Sequence, residues 1–260
     1  MCARKSAFHP ERQKTDGGAD ARWQTSIVAI VMAQFEGFPK TCIPYLKQLA
    51  KNNNREWFND NKQRYEDCVR NPAMAFIAAM APQLPALSPH FRAVAKKMGG
   101  SLMRVYRDTR FAGDKTPFKT NVGIHFRHEL GKDVHAPGFY VHIEPGDCFL
   151  GAGIWHPEAP VLNGIREFII DNPNAWKKAT QAAAFSKDWA LIGDTLVRPP
   201  RGIDPAHELL VDLKRKDFIA CMNFDEARIS QPGFVKFVMG NYQRASALVS
   251  YLCMAVDVPY

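Results

Sequence analysis

With 260 residues, 46% of them hydrophobic, the chain is long enough to bury a substantial core as one large domain or two small ones. Its formal net charge of +8 points to anionic partners, whether small phosphates and carboxylates or nucleic acid, without choosing among them. Six cysteines without a CxxC pair or close spacing suggest neither a zinc knuckle nor a disulfide framework and suit a reducing cytoplasm; no apolar run approaches the ~20 residues of a membrane span, so no membrane partner is expected.

Residues 1–34 mix Arg4, Lys5, Glu11, Arg12 and Asp16 without periodicity and are expected to be a disordered leader, with 35–260 forming a single globular domain. Ile43, Leu46, Leu49 and Ala50 share a helical face, with Pro44 in the first turn. Asn54 caps a second helix on which Trp57, Asn61, Tyr65 and Cys68 recur, and Asn71 and Pro72 close it and open a third, AMAFIAAM. After Pro82, Pro85, Pro89 and the Gly99-Gly100 pair, the apolar period changes from that of a helix to that of a strand. Strands are expected at 102–111, 122–128, 139–143 and 149–154, joined by short glycine-bearing turns that favour antiparallel pairing. Helices return at 162–171, 173–188, 205–220 and 231–255, with a strand-like or loop segment at 195–202. The fold class is therefore α+β: a central, mainly antiparallel sheet over about residues 100–156, with N- and C-terminal helices packed on its apolar face.

Alternate residues of a strand share a face, so the sheet can be sorted by parity before its strand order is known. One parity collects Met103, Val105, Val122, Ile124, Phe126, Phe139, Val141, Ile143, Leu150 and Ile154, which reads as a core face. The other collects Arg104, Tyr106, Asp108 and Arg110, then His125 and Arg127, then Tyr140, His142 and Glu144, and finally Gly151, Gly153 and Trp155. Arginine forks bind carboxylate or phosphate through two hydrogen bonds, and alternate glycines leave space above a sheet. This face thus reads as an anion-accepting cleft, against the competing reading of a solvated face with weak surface ion pairs.

The loop 112–120, stiffened by Pro117, adds Lys115 and Lys119 at the end of the sheet but lacks the GxxxxGK[ST] pattern of a phosphate loop. Arg107 lies on the other parity from Arg104 and needs a bulge or an edge position to join it. His142 and Glu144, with His125 on a neighbouring strand, are the residue types of a two-histidine-one-carboxylate metal site; the adjacent arginines would repel a cation, so no metal is expected. His128, His135 and His156 read as surface residues, and Cys148 as a packing residue rather than a nucleophile. The run Arg198-Pro199-Pro200-Arg201-Gly202 brings further cations in a rigid setting.

The stretches KNNNREWFNDNKQRY, GSLMRVYRDTRFAGDKTPFKTNVGIHFRH, GFYVHIEPGDCFLGAGIWHP and VRPPRGID together resemble the bacterial and fungal family of conserved hypothetical proteins called domain of unknown function 2461. The resemblance runs from about Phe35 to the last helix and implies a single soluble domain in a bacterial-type cytosolic setting. The family pattern is retained at Asn53, Arg55, Trp57 and Phe58, at Arg104, Tyr106, Arg107, Asp108, Arg110 and Phe111, and at Asp114, Lys115, Pro117, Lys119 and Thr120. It is retained again at Gly151, Gly153, Trp155, Pro157, Arg201 and Gly202, and it departs at Ala112, Phe118 and Val197, where serine, tyrosine and lysine are usual. On this reading Arg104, Tyr106, Arg107, Arg110, Lys115, Lys119, Trp155 and Arg201 bind a phosphate- or carboxylate-bearing small molecule, with Asp108, Glu144 and His142 as the acid–base groups if chemistry follows. The alternatives are a nucleic-acid surface with bases stacked on Tyr106, Tyr140 and Trp155, and an interaction protein without a pocket; no cofactor is specified.

Overall fold

A computed structural model describes residues 35–110, 113–131 and 136–260; the expected leader, the Phe111 end of the first expected strand, Ala112 and His135 lie outside the described residues. The first helix, α1 (Cys42–Lys51), buries Cys42, Ile43, Tyr45, Leu46 and Leu49 along one stripe, as the apolar spacing dictates. Asn54 caps α2 (Arg55–Asp60), its side-chain oxygen accepting the Trp57 amide at 2.9 Å. The chain then runs from α3 (Lys62–Tyr65) into α4 (Asn71–Met80) without the break expected at Pro72. A π-helical turn at Glu66–Arg70, closed by the Asn71 amide on the Glu66 carbonyl, joins them, and such a turn is a known way for a helix to accommodate an irregular step.

Among the described residues six strands form one sheet: β1 (Phe91–Arg92), β2 (Val122–His128), β3 (Gly138–Glu144), β4 (Asp147–Ile154), β5 (Ala190–Ile192) and β6 (Phe218–Asn223). Their order is β1-β2-β3-β4-β6-β5 and every neighbouring pair is antiparallel. Register places Ile124 opposite Val141 and Val141 opposite Leu150, so the apolar parity lines up across the strands. Phe76 of α4 reaches Phe126, and the long helix α9 (Phe234–Ala255) lays Tyr242 against Phe139 at 4.6 Å between ring centroids. Helices from both ends of the chain therefore cover the apolar face, as expected for this α+β arrangement.

Between β4 and β5 lie α5 (Ala159–Asp171), α6 (Pro173–Gln181) and α7 (Ala183–Ser186), where one helix over 173–188 was expected; extended Ala182 separates the last two. The expected helix 205–220 is corrected more deeply. Only α8 (Leu210–Leu213) is helical there, and Phe218–Asn223 is a strand inserted between β4 and β5. Two buried groups hold this return. Arg166 donates to the Leu213 and Arg215 carbonyls at 2.8 and 2.9 Å, and Asp217, 1% exposed, accepts the amides of His156 at 2.7 Å and Asp194 at 3.3 Å. Leu209 and Leu213 do bury as a helical pair, but the alternation of Phe218, Ala220 and Met222 on the core side belongs to the sheet.

The segment expected as a strand at 102–111 is not one among its described residues. It touches its neighbours only through isolated bridges, Leu102 with Ile124 and Tyr106 with Phe118. Freed from a continuous ladder, its side chains do not alternate as assumed: Leu102 packs on the core, while Met103 turns to the opposite side of the sheet. No described helix is long and apolar enough to cross a membrane.

Candidate functional site

The second face of the sheet floors a cleft of about 550 Å³, within the size range of small-molecule sites. Tyr140 and His142 of β3, Phe149 and Gly151 of β4, and Ile219 and Cys221 of β6 line its floor. The excursion between β1 and β2 supplies Met103, Arg107, Lys119 and Asn121 on one side; Trp155, Ile192 and Gly193 line the other. The cleft is thus more apolar than the strand parity implied, because β5 and β6 contribute Ile192 and Ile219, which the sequence reading did not place in the sheet. The period-2 pattern of Phe218 to Met222 was the signal that pointed to them.

The expected glycines have different reasons for being glycine. Gly151 keeps the floor open: an added Cβ would meet Tyr140 Cβ at 3.3 Å in otherwise ordinary contact. Gly153 has φ +126°, and an added Cβ would stand 2.1 Å from the Phe218 carbonyl oxygen, so the close approach of β6 demands it rather than a ligand.

Among the described residues, charge enters the cleft through two cations, Arg107 and Lys119. Asn53 fixes the return of the excursion by pairing its amide with both backbone groups of Phe118, at 2.9 and 3.0 Å, and Phe118 stacks on Phe58 at 4.0 Å. The departure from tyrosine at Phe118 therefore lies in the packing that supports this wall. Lys119 follows immediately. The carboxylates of the excursion are engaged by arginines: Asp108 by Arg110 at 2.8 Å and Arg104 at 3.8 Å, both outside the lining, and Asp114 by Arg107 of the cleft. Among the described residues Lys119 makes no ion pair, and burial together with the positive charges of Arg104 and Arg107 lowers its pKa.

Beside these cations runs a line of polar contacts. The Tyr140 hydroxyl meets His142 Nδ1 at 3.2 Å, His142 Nε2 meets Glu144 Oε2 at 3.2 Å, and the Thr120 hydroxyl donates to Glu144 Oε1 at 2.6 Å. The His142 ring lies flat on Phe149, 4.6 Å apart and 10° from parallel. Burial, then the Glu144 charge, raises the Tyr140 phenol above its ordinary value. His142, Glu144 and Asp147 bring one ligand atom each within 4.8 Å of one another, a group of the size that could hold a metal ion; Asp147, across the hairpin, takes the place the sequence reading gave to His125.

Of the residues singled out from the sequence, Arg107, Lys119, His142 and Trp155 line the cleft, and Glu144 supports His142 from beside it. Arg104, Tyr106, Asp108 and Arg110 do not share that face, because the irregular excursion turns them outward. The Arg110 fork holds the Asp108 carboxyl down at about 2, which leaves a fixed carboxylate rather than a proton donor near neutrality. Lys115 spends its ammonium on the Thr109 carbonyl, and Arg201 lies in an exposed turn away from the lining. His128 is buried, not on the surface, and bonds the Pro259 carbonyl at 2.8 Å. His156 is half exposed but tied to Asp217 at 2.7 Å and stacked on Trp155. Burial pushes the Cys221 thiol up to about 12, so the one cysteine lining the cleft among the described residues is held as a thiol.

A family model described as "Conserved hypothetical protein (DUF2461)" matches residues 41–251. No curated protein and no solved structure matches the chain.

Proposed function

The chain belongs to the conserved hypothetical DUF2461 family, whose matched region contains every residue lining the cleft, and from that premise we propose that the protein binds a small organic anion with an apolar or aromatic body. The observation that carries this reading is Lys119. It is half-buried at the cleft wall, repelled by Arg104 and Arg107, and without an ion pair among the described residues. A desolvated ammonium in that setting costs free energy until an anion joins it. Arg107 adds a guanidinium already oriented by Asp114, and the floor of Phe149, Gly151 and Ile219 offers a flat apolar surface beside the charge. A carboxylate or phosphate on a planar scaffold satisfies both halves of the site. A cytoplasmic setting accompanies this reading, supported by the free thiols of Cys42, Cys68, Cys148, Cys221 and Cys253.

Thermal shift with aromatic carboxylates and aryl phosphates, run against their neutral amides and alcohols, tests it. A ligand at 100 times its Kd stabilises by about 2.7 kcal/mol, and replacing one charged contact removes roughly 1.5–3 kcal/mol of binding. Lys119→Met should therefore weaken binding roughly 10- to 100-fold, while Arg104→Ala leaves most of it. Equal shifts from the neutral analogues, or full binding by Lys119→Met, would sink the proposal. The nucleic-acid reading has less support: Tyr106 packs on Phe118 and Phe58 outside the cleft, so Tyr106, Tyr140 and Trp155 do not line one platform. Salt-sensitive oligonucleotide binding that survives Lys119→Met would favour it instead.

A further inference from the structure

Resting on the cleft as a small-anion site, we propose that Tyr140 is a nucleophile of that site, attacking an acyl- or phosphoryl-type centre of an anionic ester, with His142 as its proton acceptor and Glu144 as the positioning residue. The Tyr140 hydroxyl at 3.2 Å and the Asn121 amide nitrogen at 3.4 Å, the latter able only to donate, converge on His142 Nδ1. That nitrogen must carry the lone pair, so the neutral ring holds its proton on Nε2 and donates it to Glu144. Glu144 is itself held by Thr120, and the ring plane is fixed by its stack on Phe149. A nucleophile within reach of a base, and a base oriented by a third group, is the arrangement that activates a weak oxygen nucleophile.

The Tyr140 phenol reaches over Gly123 of β2, the register partner of His142, because that glycine leaves room: a Cβ there would stand 2.6 Å from the phenol oxygen. Burial and the Glu144 charge oppose a free phenolate, so the proton leaves only as the new bond forms, and His142 Nδ1 is where it goes. In the step, the Tyr140 oxygen bonds to the electrophilic centre and the bond to the leaving group breaks. The phenol proton passes to Nδ1 and from there to the leaving group, and water hydrolyses the tyrosyl ester in the reverse sense. Lys119 and Arg107 of the same cleft hold the anionic end.

The probe is 4-(fluorosulfonyl)benzoate, with neutral benzenesulfonyl fluoride as its comparison. An oxygen–sulfur bond forms, the sulfur–fluorine bond breaks, fluoride leaves and the phenol proton goes to His142. Peptide mapping of the full chain should find the adduct on Tyr140 and not on the more exposed Tyr106; the adduct should be absent in Tyr140→Phe and slowed about 100-fold or more in His142→Gln. In the wild type, the nitrogen-15 shifts of the His142 ring should report the Nε2-H tautomer, and Glu144→Gln should mix the tautomers while the melting temperature holds. An adduct only on exposed tyrosines, an undiminished rate in a folded His142→Gln, or an Nδ1-H tautomer in the wild type overturns the proposal. Benzoate that raises the melting temperature while its fluorosulfonyl derivative leaves Tyr140 unmodified keeps the small-anion reading and removes the nucleophile. Equal, His142-dependent labelling by both probes keeps the nucleophile and removes the anion preference.

Discussion

The two faces of one sheet divide the labour of this molecule. On the helix-covered face Ile124, Phe126, Phe139, Val141, Ile143 and Leu150 are fully buried, each satisfied by contact with its own chain. On the other, residues one position away along the same strands, Tyr140, His142 and Gly151, meet a cleft, and the cation beside them has no counter-charge among the described residues. The difference teaches that alternation separates packing from chemistry within a strand, but assembling the chemistry takes residues from segments that are not strands at all.

The comparison breaks most sharply at adjacent positions of β3. Phe139→Ala removes a buried ring packed on Phe91 and Tyr242 and should cost about 3–5 kcal/mol, read by urea unfolding. Tyr140→Phe, one residue on, removes only a hydroxyl and should cost about 1 kcal/mol. Comparable losses at the two positions would mean that the cleft face is as much core as the other. Within β4, Gly153→Val forces a side chain onto a positive φ and against the Phe218 carbonyl, and should cost at least the roughly 1–3 kcal/mol of such backbone strain. Gly151→Ala fits with modest adjustment and should act on ligand binding more than on stability. Stability unchanged by Gly153→Val would refute the backbone account of that glycine.

The smallest effect is a pH dependence. Lys119 has a lower pKa folded than its ordinary value of 10.5, so its protonated form is a cost to the fold. As pH rises through the folded pKa toward 10.5 the folded chain sheds a proton that the unfolded chain retains, and stability rises; below that window the cost is constant. The stability gained by Lys119→Met should therefore be largest near neutrality and shrink as pH approaches 10.5, measured as the difference between the two unfolding free energies. A difference independent of pH would show that Lys119 is solvated in the free protein.

Local signals were read where they act locally. The Asn54 cap, the α1 stripe and strands β2, β3 and β4 follow from spacing alone, and parity correctly gathered His125, Tyr140, His142, Gly151 and Trp155. Parity failed for Arg104, Tyr106, Asp108 and Arg110 because it presumes a continuous ladder, and their segment makes only isolated bridges. Strand β6 was hidden by its neighbourhood: Leu209 and Leu213 repeat at helical spacing just before it, and the buried Asp217 that ends that pattern binds amides contributed by β4's end and the β5–β6 link.

By itself, then, the amino-acid order determined which residues lie on which side of each regular strand, that basic groups are in excess, and which helices bear an apolar stripe, since each is a property of neighbours along the chain. Only the tertiary structure decided that Arg107 and Lys119, rather than Arg104 and Arg110, face the cleft, and that Ile219 and Cys221 complete its floor. Those choices depend on strand pairings such as Gly151 with Cys221 and on Asn53 anchoring Phe118 from 65 residues away, contacts whose energies no local pattern contains.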